Sequence, residues 1–307
     1  MKHTEPDLTT TLGSVTLRTP LIAASGTVGS VVDFSGAADF RAYGAAVAKS
    51  VSPVPWAGRV PPRLAPAGSG MLNGIGIQNP GIDAWEMEIG PRLRDVDVPV
   101  WGSAVGDDPA GFAGVAAGLE RAGVAAVEVN LSCPNLADGH LFALDASASA
   151  AVVGAVRGAT ALPVGAKLSP NAVDIVAIAD AVATAGADWV VLTNTVWGAG
   201  FDVDTRRPRL SSVVGGYSGP PLKPIALRCV WEVAQALPGL PIIGCGGVQN
   251  GADVVEYLIA GASAVCVGTA HFAEPRAGRR IMGELERFMR KRRIAATHDL
   301  VGTVEPW

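Results

Sequence analysis

The sequence predicts an α/β fold: a single (β/α)8 barrel, the TIM barrel, with an N-terminal β-hairpin and long active-site loops. Eight short apolar runs bounded by Gly or Pro recur along the chain, and stretches with helical spacing lie between most of them. Repeated alternation of strand and helix indicates right-handed crossovers and a parallel sheet. Eight such units, with no clear G-x-G-x-x-G fingerprint after the first run, favour a closed barrel over an open doubly wound sheet.

The chain opens with two short β segments about Gly13, within 9–18, which predict a hairpin that closes the bottom of the barrel. The eight runs that follow are continuously apolar rather than alternating, which is typical of strands covered on both faces. The predicted barrel strands are 20–25, 45–50, 99–105, 125–131, 163–168, 189–194, 241–245 and 263–268.

Helical spacing of apolar residues recurs between these strands. The predicted helices are 109–122, 146–157, 172–185, 224–236, 252–260 and, after the last strand, about 276–293. Two segments, 51–80 and 195–222, show no clean helix, and loops of this length in a compact domain are usually functional. No linker or composition shift divides the chain, so residues 1–307 are predicted to form one domain.

Composition excludes several classes of protein. With 307 residues, 49% of them hydrophobic, 17% charged and a net charge of −4, the chain is predicted to bury a large core rather than to be disordered. The acidic balance gives no electrostatic footprint for nucleic acid, and the basic cluster at 287–293 fits a solvated helix face. Neither a signal-peptide core nor an unbroken apolar span occurs, so we expect a cytoplasmic protein with no membrane partner.

Polar residues stand where several predicted strands end, which is where barrels of this class build their chemistry. Lys49 and Lys167 each close an apolar run and would give the barrel mouth positive charge, suited to an anion or a reduced flavin. The alternative is a lysine that extends its stem out of the barrel. Asparagine amides can bind both the N–H and the C=O edges of a planar ring, although turns also favour asparagine. The candidate asparagines are Asn73, Asn130, Asn135 and Asn194.

Glycine follows the last two predicted strands, as Gly246-Gly247 and Gly268-Thr269. Barrels commonly hold a phosphate at this place, because bare backbone N–H groups can approach its oxygens closely. Tight turns that need positive φ are the alternative.

The four cysteines form no close pair, and the four histidines have no metal-ligand spacing, so no metal site is predicted. Cys133 directly follows a strand and is the cysteine placed like a catalytic group. Cys229, Cys245 and Cys266 lie within apolar runs and are predicted to be inert core residues.

Several ordered motifs closely resemble those of class 1 dihydroorotate dehydrogenases, and the resemblance covers nearly the whole chain. They are ASGT (24–27), NGIGIQNPG (73–81), NLSCPN (130–135), KLSP (167–170), GYSGP (216–220), GGV (246–248) and GTA (268–270). The cysteine of NLSCPN is the residue that class 1 enzymes carry at this position of the motif, whereas class 2 enzymes carry serine there. The GIQNPG segment resembles class 1B, whose catalytic subunit works with a partner subunit carrying FAD and an iron–sulfur cluster.

The resemblance implies an FMN enzyme that oxidises (S)-dihydroorotate to orotate in pyrimidine biosynthesis, with a homodimeric core. It implies that Cys133 is the base that removes the C5 proton while hydride passes from C6 to flavin N5. The implied substrate contacts are Lys49, Asn73, Gly74, Ile75, Gly76, Ile77, Asn130, Asn194 and Thr195. The implied FMN contacts are Ser25, Lys49, Ser50, Ser103, Asn130, Lys167, Thr193, Gly219, Gly246, Gly247, Gly268 and Thr269.

Three residues depart from the family pattern. Ser103 stands where the family usually has an asparagine that touches the flavin, Thr193 where an aliphatic residue is usual, and His140 where a glycine is common beyond the base. Serine and threonine can keep a hydrogen bond or a backbone contact, so Ser103 and Thr193 stay among the predicted flavin contacts.

Two other functions fit part of the pattern. A Schiff-base aldolase on the same barrel would use Lys167 as nucleophile and the glycine pairs for a substrate phosphate, but it leaves the asparagines and Cys133 without a role. A flavin subunit similar to dihydropyrimidine dehydrogenase would use a similar cysteine on neutral uracil or thymine. The sequence does not identify the final electron acceptor.

Overall fold

A computed structural model of the chain describes residues 5–131, 142–305 and 307. It contains two short N-terminal strands, eight barrel strands and four strands of a smaller sheet. The strands in chain order are β1 Thr10–Leu12, β2 Val15–Leu17, β3 Leu21–Ala23, β4 Ala45–Val47, β5 Leu64–Ala67, β6 Gly70–Asn73, β7 Val100–Ala104, β8 Ala126–Asn130, β9 Val164–Lys167, β10 Trp189–Leu192, β11 Val196–Ala199, β12 Val214–Ser218, β13 Ile242–Cys245 and β14 Ala264–Val267.

The predicted barrel is confirmed. Its eight strands are all parallel, each pairs with the next barrel strand along the chain, and β14 closes on β3. Every one of the eight predicted apolar runs contains one of these strands. Side chains of β8 explain why the runs do not alternate: Val127 and Val129 pack outward under the helices, while Ala126 packs inside the barrel. Both faces are therefore buried.

The N-terminal hairpin of β1 and β2 closes the end of the barrel where the strands begin. Leu12 and Leu17 are buried in the same interior cluster as Trp101 and Trp189, whose ring centroids lie 4.9 Å apart. The Thr10 hydroxyl donates to the carbonyl of Ser263, just before β14, at 2.7 Å. The predicted plug is thus present, and it leaves the opposite end of the barrel for the site.

Over residues 5–131 and 142–305, six α-helices surround the barrel close to their predicted positions, and two short ones, Ile82–Glu88 and Ala270–Ala273, were not predicted. In chain order they are α1 Ile82–Glu88, α2 Pro109–Arg121, α3 Ala146–Ala159, α4 Ile175–Thr184, α5 Lys223–Ala236, α6 Gly251–Ala260, α7 Ala270–Ala273 and α8 Ala277–Arg292. Helix α4 begins later than residue 172 because the Asp174 side chain accepts a hydrogen bond from the backbone N–H of Ala177 and sets the start. Of the helices that the described residues form, none has both the length and the apolar character that crossing a bilayer demands.

The two segments predicted as long loops contain no α-helix, and parts of them pair as the strands of a second sheet. Strands β11, β12, β6 and β5 pair antiparallel in that order, so residues 64–73 lie beside residues 196–218. Each strand is short and contains Gly or Pro. Strand β6 pairs with β12, which is far along the chain, and local sequence patterns do not reveal such a pairing. This sheet stands at the carboxyl ends of the barrel strands.

Candidate functional site

A cavity of about 700 Å³ lies between the carboxyl ends of the barrel strands and the smaller sheet. Its position is the end at which barrels of this type carry their sites. The structure brings together eighteen of the predicted site residues: Ser25, Lys49, Ser50, Asn73, Gly74, Ile75, Gly76, Ile77, Asn130, Lys167, Thr193, Asn194, Thr195, Gly219, Gly246, Gly247, Gly268 and Thr269.

Lys167 supplies a buried positive charge at the floor of the cavity. It is the last residue of β9, and its side chain points into the barrel next to Asn130 of β8. Burial alone would lower the pKa of Lys167, but nearby Cys245 and Glu128 outweigh that effect and raise it above its ordinary value. The ammonium group therefore stays charged at neutral pH.

Glu128, buried in the barrel near Lys167, is a charged residue that the sequence analysis missed. It is 1% exposed, and its Oε1 atom has no hydrogen-bond partner among the described residues. Burial raises the pKa of Glu128, and the Lys167 charge opposes that rise. One signal was available in the sequence: an acidic residue in the middle of an otherwise apolar strand.

Cys245 corrects one expectation from the sequence. It was predicted to be an inert core residue, yet it lines the cavity. Cys245 and Cys266 are direct neighbours on β13 and β14. The hydrogen bond with Cys266, helped by Lys167, lowers the pKa of Cys245 to about 7 against the opposing effect of burial. Cys229 and Cys266 are buried, as expected.

A continuous chain of hydrogen bonds between side-chain amides and hydroxyls runs along one wall of the cavity. Ser103 and Ser50 hydroxyl oxygens lie 2.9 Å apart, Asn130 donates to Ser50 at 3.1 Å, and Asn194 donates to Asn130 at 3.2 Å. The backbone N–H of Thr195 donates to Asn194 Oδ1 at 2.8 Å. Four barrel strands or the residues just after them contribute to this wall, which explains why spacing along the chain does not show it.

Asn73 reaches the cavity from the smaller sheet rather than from the barrel. It ends β6, and its Nδ2 donates to the carbonyl of Gly216 on β12 at 3.2 Å. A Cβ atom on Gly216 would lie 2.3 Å from the Thr195 hydroxyl oxygen, so glycine is needed where the sheet meets the barrel. The pairing of β6 with β12 therefore sets the position of Asn73 in the site.

The turn after β13 needs its two glycines. Gly246 and Gly247 have φ of 146° and 71°, values that favour glycine, and a Cβ on Gly247 would lie 2.8 Å from Cβ of Lys223 at the start of α5. The turn therefore packs tightly against α5 and exposes backbone, rather than side chains, to the cavity.

Comparison with known proteins assigns the family. A family model described as dihydroorotate dehydrogenase matches residues 7–289. The chain belongs to the dihydroorotate dehydrogenase family. It is 46% identical to the dihydroorotate dehydrogenase B (NAD(+)) catalytic subunit of Geobacter sulfurreducens, with 98% of this chain and 99% of that protein covered. It is 44% identical to the protein of the same description from Desulforudis audaxviator, with 95% of each chain covered.

These relatives confirm the predicted resemblance to the class 1B catalytic subunits of the dihydroorotate dehydrogenase family, which are enzymes. The fold has a counterpart in the crystal structure of a dihydroorotate dehydrogenase from Eimeria tenella in complex with ferulenol. That structure superposes with a TM-score of 0.81 at 22% identity, covering 99% of this chain and 90% of the other. At that identity it supports the barrel fold alone.

Among the described residues, one predicted dihydroorotate dehydrogenase site residue does not line the cavity. Ser103 is fully buried behind Ser50 and is not among the residues that line the cavity, so its contact with a flavin stays a prediction. Cys133, the predicted base, lies outside the described residues, as do Asn135 and His140.

Proposed function

We propose that this chain oxidises (S)-dihydroorotate to orotate, a step of pyrimidine biosynthesis, with FMN as cofactor. The observation that carries the proposal is that two lysines and three asparagines meet the glycine-bearing turns after β13 and β14 in one cavity. Dihydroorotate has a carboxylate and a planar ring edge of alternating N–H and C=O groups. Lys49 matches the carboxylate, Lys167 would match the negative charge of reduced FMN, and the amides match the ring edge; these amides are Asn73, Asn130 and Asn194.

The residues present fit FMN in size and in chemistry. A cavity of about 700 Å³ falls in the range of cofactor sites, about 300–1,000 Å³. Gly246, Gly247, Gly268 and Thr269 would hold the phosphate through backbone N–H groups, because their turns present little side chain to the cavity. Ser25, Ser50, Thr193 and Gly219 would hold the flavin. Bound FMN supplies a hydride acceptor for substrate C6.

The protein groups have separable tasks in this proposal. Cys133 takes the C5 proton, Lys49 and the asparagines hold the substrate ring in register, and the Lys167 ammonium stabilises the negative charge that develops beside it. Asn73–Ile77 and Thr195 complete the substrate side of the cavity. Lys167 stabilises charge well because it is fixed and buried, so water does not screen it.

The charge of Lys167 also favours this function over an aldolase. A Schiff-base nucleophile needs a neutral amine, which enzymes obtain by lowering the lysine pKa. The surroundings of Lys167 raise its pKa instead, because Cys245 and Glu128 lie nearby. The ammonium form suits charge stabilisation and opposes nucleophilic attack.

The descriptions of the relatives support the proposal that this chain works with an electron-transfer partner. These relatives are described as catalytic subunits of an NAD(+) enzyme. We propose that electrons leave this chain to a second subunit that carries FAD and an iron–sulfur cluster, and that the catalytic chains form a homodimeric core.

The deciding experiment is a visible spectrum of the purified protein followed by anaerobic addition of dihydroorotate. We expect a flavin spectrum that bleaches with dihydroorotate and does not bleach with dihydrouracil at the same concentration. Faster bleaching by dihydrouracil would support the dihydropyrimidine dehydrogenase alternative, and a colourless protein that binds no FMN would refute the proposal.

Cys133→Ala tests the base. We expect the variant to keep its flavin and to lose about 10²- to 10⁴-fold in turnover, the usual contribution of a general base. Cys229→Ala, at a buried cysteine on α5, is the matched control and should keep its turnover. Wild-type activity should rise with pH toward an apparent pKa of roughly 7–9, because thiolate is the active form. Near-normal rates in Cys133→Ala would remove this residue from the role.

A further inference from the structure

The chain of hydrogen bonds along the cavity wall has a defined direction. It begins at the backbone N–H of Thr195, which can only donate, so the atom of Asn194 that faces it is the acceptor Oδ1. The Nδ2 of Asn194 must then point to Asn130 Oδ1, and the Nδ2 of Asn130 to Ser50 Oγ. One fixed backbone donor thus sets the orientation of two amides.

The other end of the chain is the hydroxyl of Ser103. In the described part of the chain, Ser50 Oγ has two side-chain partners, Asn130 and Ser103, and Ser103 Oγ has Ser50 alone. Ser50 is 2% exposed and Ser103 is fully buried. Ser103 Oγ therefore offers an acceptor for the Ser50 proton, and a Ser50 hydroxyl that donates to Ser103 keeps its oxygen as the acceptor for Asn130.

We propose that Ser103 is a positioning residue for substrate recognition: through Ser50 it keeps the amide of Asn130 in the orientation that binds the ring edge. The inference rests on the proposed function, because it takes the ring edge of dihydroorotate or orotate as the ligand of this amide. It also gives Ser103 a role that does not require contact with a bound molecule. The structure thereby connects an unusual residue of the barrel wall to the substrate side of the cavity.

The physical reason is that an amide presents different groups after it flips. Without the Ser103 hydroxyl, the Ser50 proton is free to turn toward Asn130, which favours the flipped amide with its oxygen toward Ser50. The flipped Asn130 would set its Nδ2 against the Nδ2 of Asn194, which cannot flip because Thr195 holds its oxygen. The Nδ2 donor and the Oδ1 acceptor of Asn130 would then no longer match the ring edge. A buried polar group without a matching partner lowers the binding affinity.

The test is Ser103→Ala, with Ser149→Ala as a matched control. Ser149 is also fully buried and uses its hydroxyl for one hydrogen bond, to the carbonyl of Phe142, but it lies on α3 away from the cavity lining. We expect Ser103→Ala to raise the Kd for orotate, measured by titration of the flavin spectrum, and the KM for dihydroorotate about fivefold to tenfold, the scale of one hydrogen bond. The fall in kcat should be smaller, and Ser103→Thr, which keeps the hydroxyl, should restore most of the affinity.

The outcomes separate this inference from the proposed function. Unchanged Kd and KM in Ser103→Ala would overturn the inference, and so would a fall in kcat or FMN content without a change in KM, because Ser103 would then act on the flavin or on the fold. An equal rise in KM in Ser149→Ala would overturn it too. If Ser103→Ala does not fold, a Ser103→Cys variant, which keeps the volume but weakens the hydrogen bond, must show the same rise in Kd. A wild-type protein that binds no orotate refutes the proposed function instead.

Discussion

His271 is a buried histidine behind the cavity whose hydrogen bonds define its tautomer. The Thr27 hydroxyl has one proton, which it donates to the carbonyl of Ala24 at 2.8 Å, so His271 Nδ1–H donates to Thr27 at 3.0 Å. His271 Nε2 then accepts from the Tyr43 hydroxyl at 2.6 Å. Both ring nitrogens are satisfied in the neutral form. Burial of the ring lowers the pKa of His271 to about 4.

This pKa predicts a loss of stability in mild acid. An unfolded histidine titrates near pH 6.5, so between about pH 6.5 and 4 the unfolded chain binds a proton that the folded chain does not. The contribution of His271 is complete above pH 6.5 and decreases as the pH falls toward 4, by about 3 kcal/mol in total. Urea unfolding at several pH values should show this slope in the wild type.

His271→Gln should flatten that slope. We expect the variant to be less stable at pH 7, because the bonds to Thr27 and Tyr43 are disrupted, and to lose less of its remaining stability between pH 6.5 and 4.5. His298→Gln, at an exposed histidine, is the control and should keep the wild-type slope. If the free energy of unfolding depends on pH as steeply in His271→Gln as in the wild type, groups other than His271 cause that dependence.

Asp253, at the start of α6, holds two helices and the turn beside the cavity together through its side chain. Its side chain accepts hydrogen bonds from the backbone of Gln249 at 2.7 Å and of Asn250 at 3.1 Å, and it accepts from Lys223 on α5 at 2.6 Å. Asn250 in turn accepts from the backbone N–H of Asp253, which completes a capping box at the start of α6. These bonds join α5 and α6 to the turn that follows Gly246 and Gly247.

Asp253→Ala should therefore cost more than the loss of a cap. We expect a decrease of about 3 kcal/mol in the free energy of unfolding, because the substitution removes a cap and leaves the partly buried Lys223 with a weaker counterion. Asp174→Ala, which removes only the N-cap of α4, should cost about 1 kcal/mol. Affinity for FMN should fall in Asp253→Ala and not in Asp174→Ala. Equal costs in the two variants would contradict the linking role of Asp253.

The elements differ in how far the sequence predicts them. Barrel strands and helices appear in local patterns, because burial on both faces gives unbroken apolar runs and burial on one face gives helical spacing. The sheet of β5, β6, β11 and β12 does not appear, since its strands are short and β6 pairs with β12 across a large stretch of sequence. The sequence therefore predicts both segments as cavity-lining loops but does not predict the strand pairing within them.

At the scale of the whole molecule, the two ends of the barrel have different tasks. Leu12 and Leu17 of the hairpin fill the end where the strands begin, and the cavity occupies the end where they finish. Packing at the first end supports stability, and the polar residues that the family would use lie at the second.

Leu12→Ala tests this separation. We expect it to lower the free energy of unfolding by about 2–5 kcal/mol, because it opens a void in the barrel interior. Flavin content and KM for dihydroorotate, measured well below the melting temperature, should stay at their wild-type values. Thr11→Ala, at the exposed position next to it on β1, should change neither property. A large rise in KM in Leu12→Ala would show that the two ends are coupled.

Local patterns and ordered motifs were enough to predict the barrel, the hairpin, the family and eighteen of the residues that line the cavity, because most strand ends carry a polar residue within a motif. Which of these residues touch one another depends on how the barrel closes. The tertiary structure placed Glu128 and Cys245 beside Lys167, put Ser103 behind Ser50, and brought Asn73 to the cavity on a second sheet. The physical reason is that strand and helix patterns arise from local burial, whereas hydrogen bonds and charges in the site join residues that the closed barrel alone brings together.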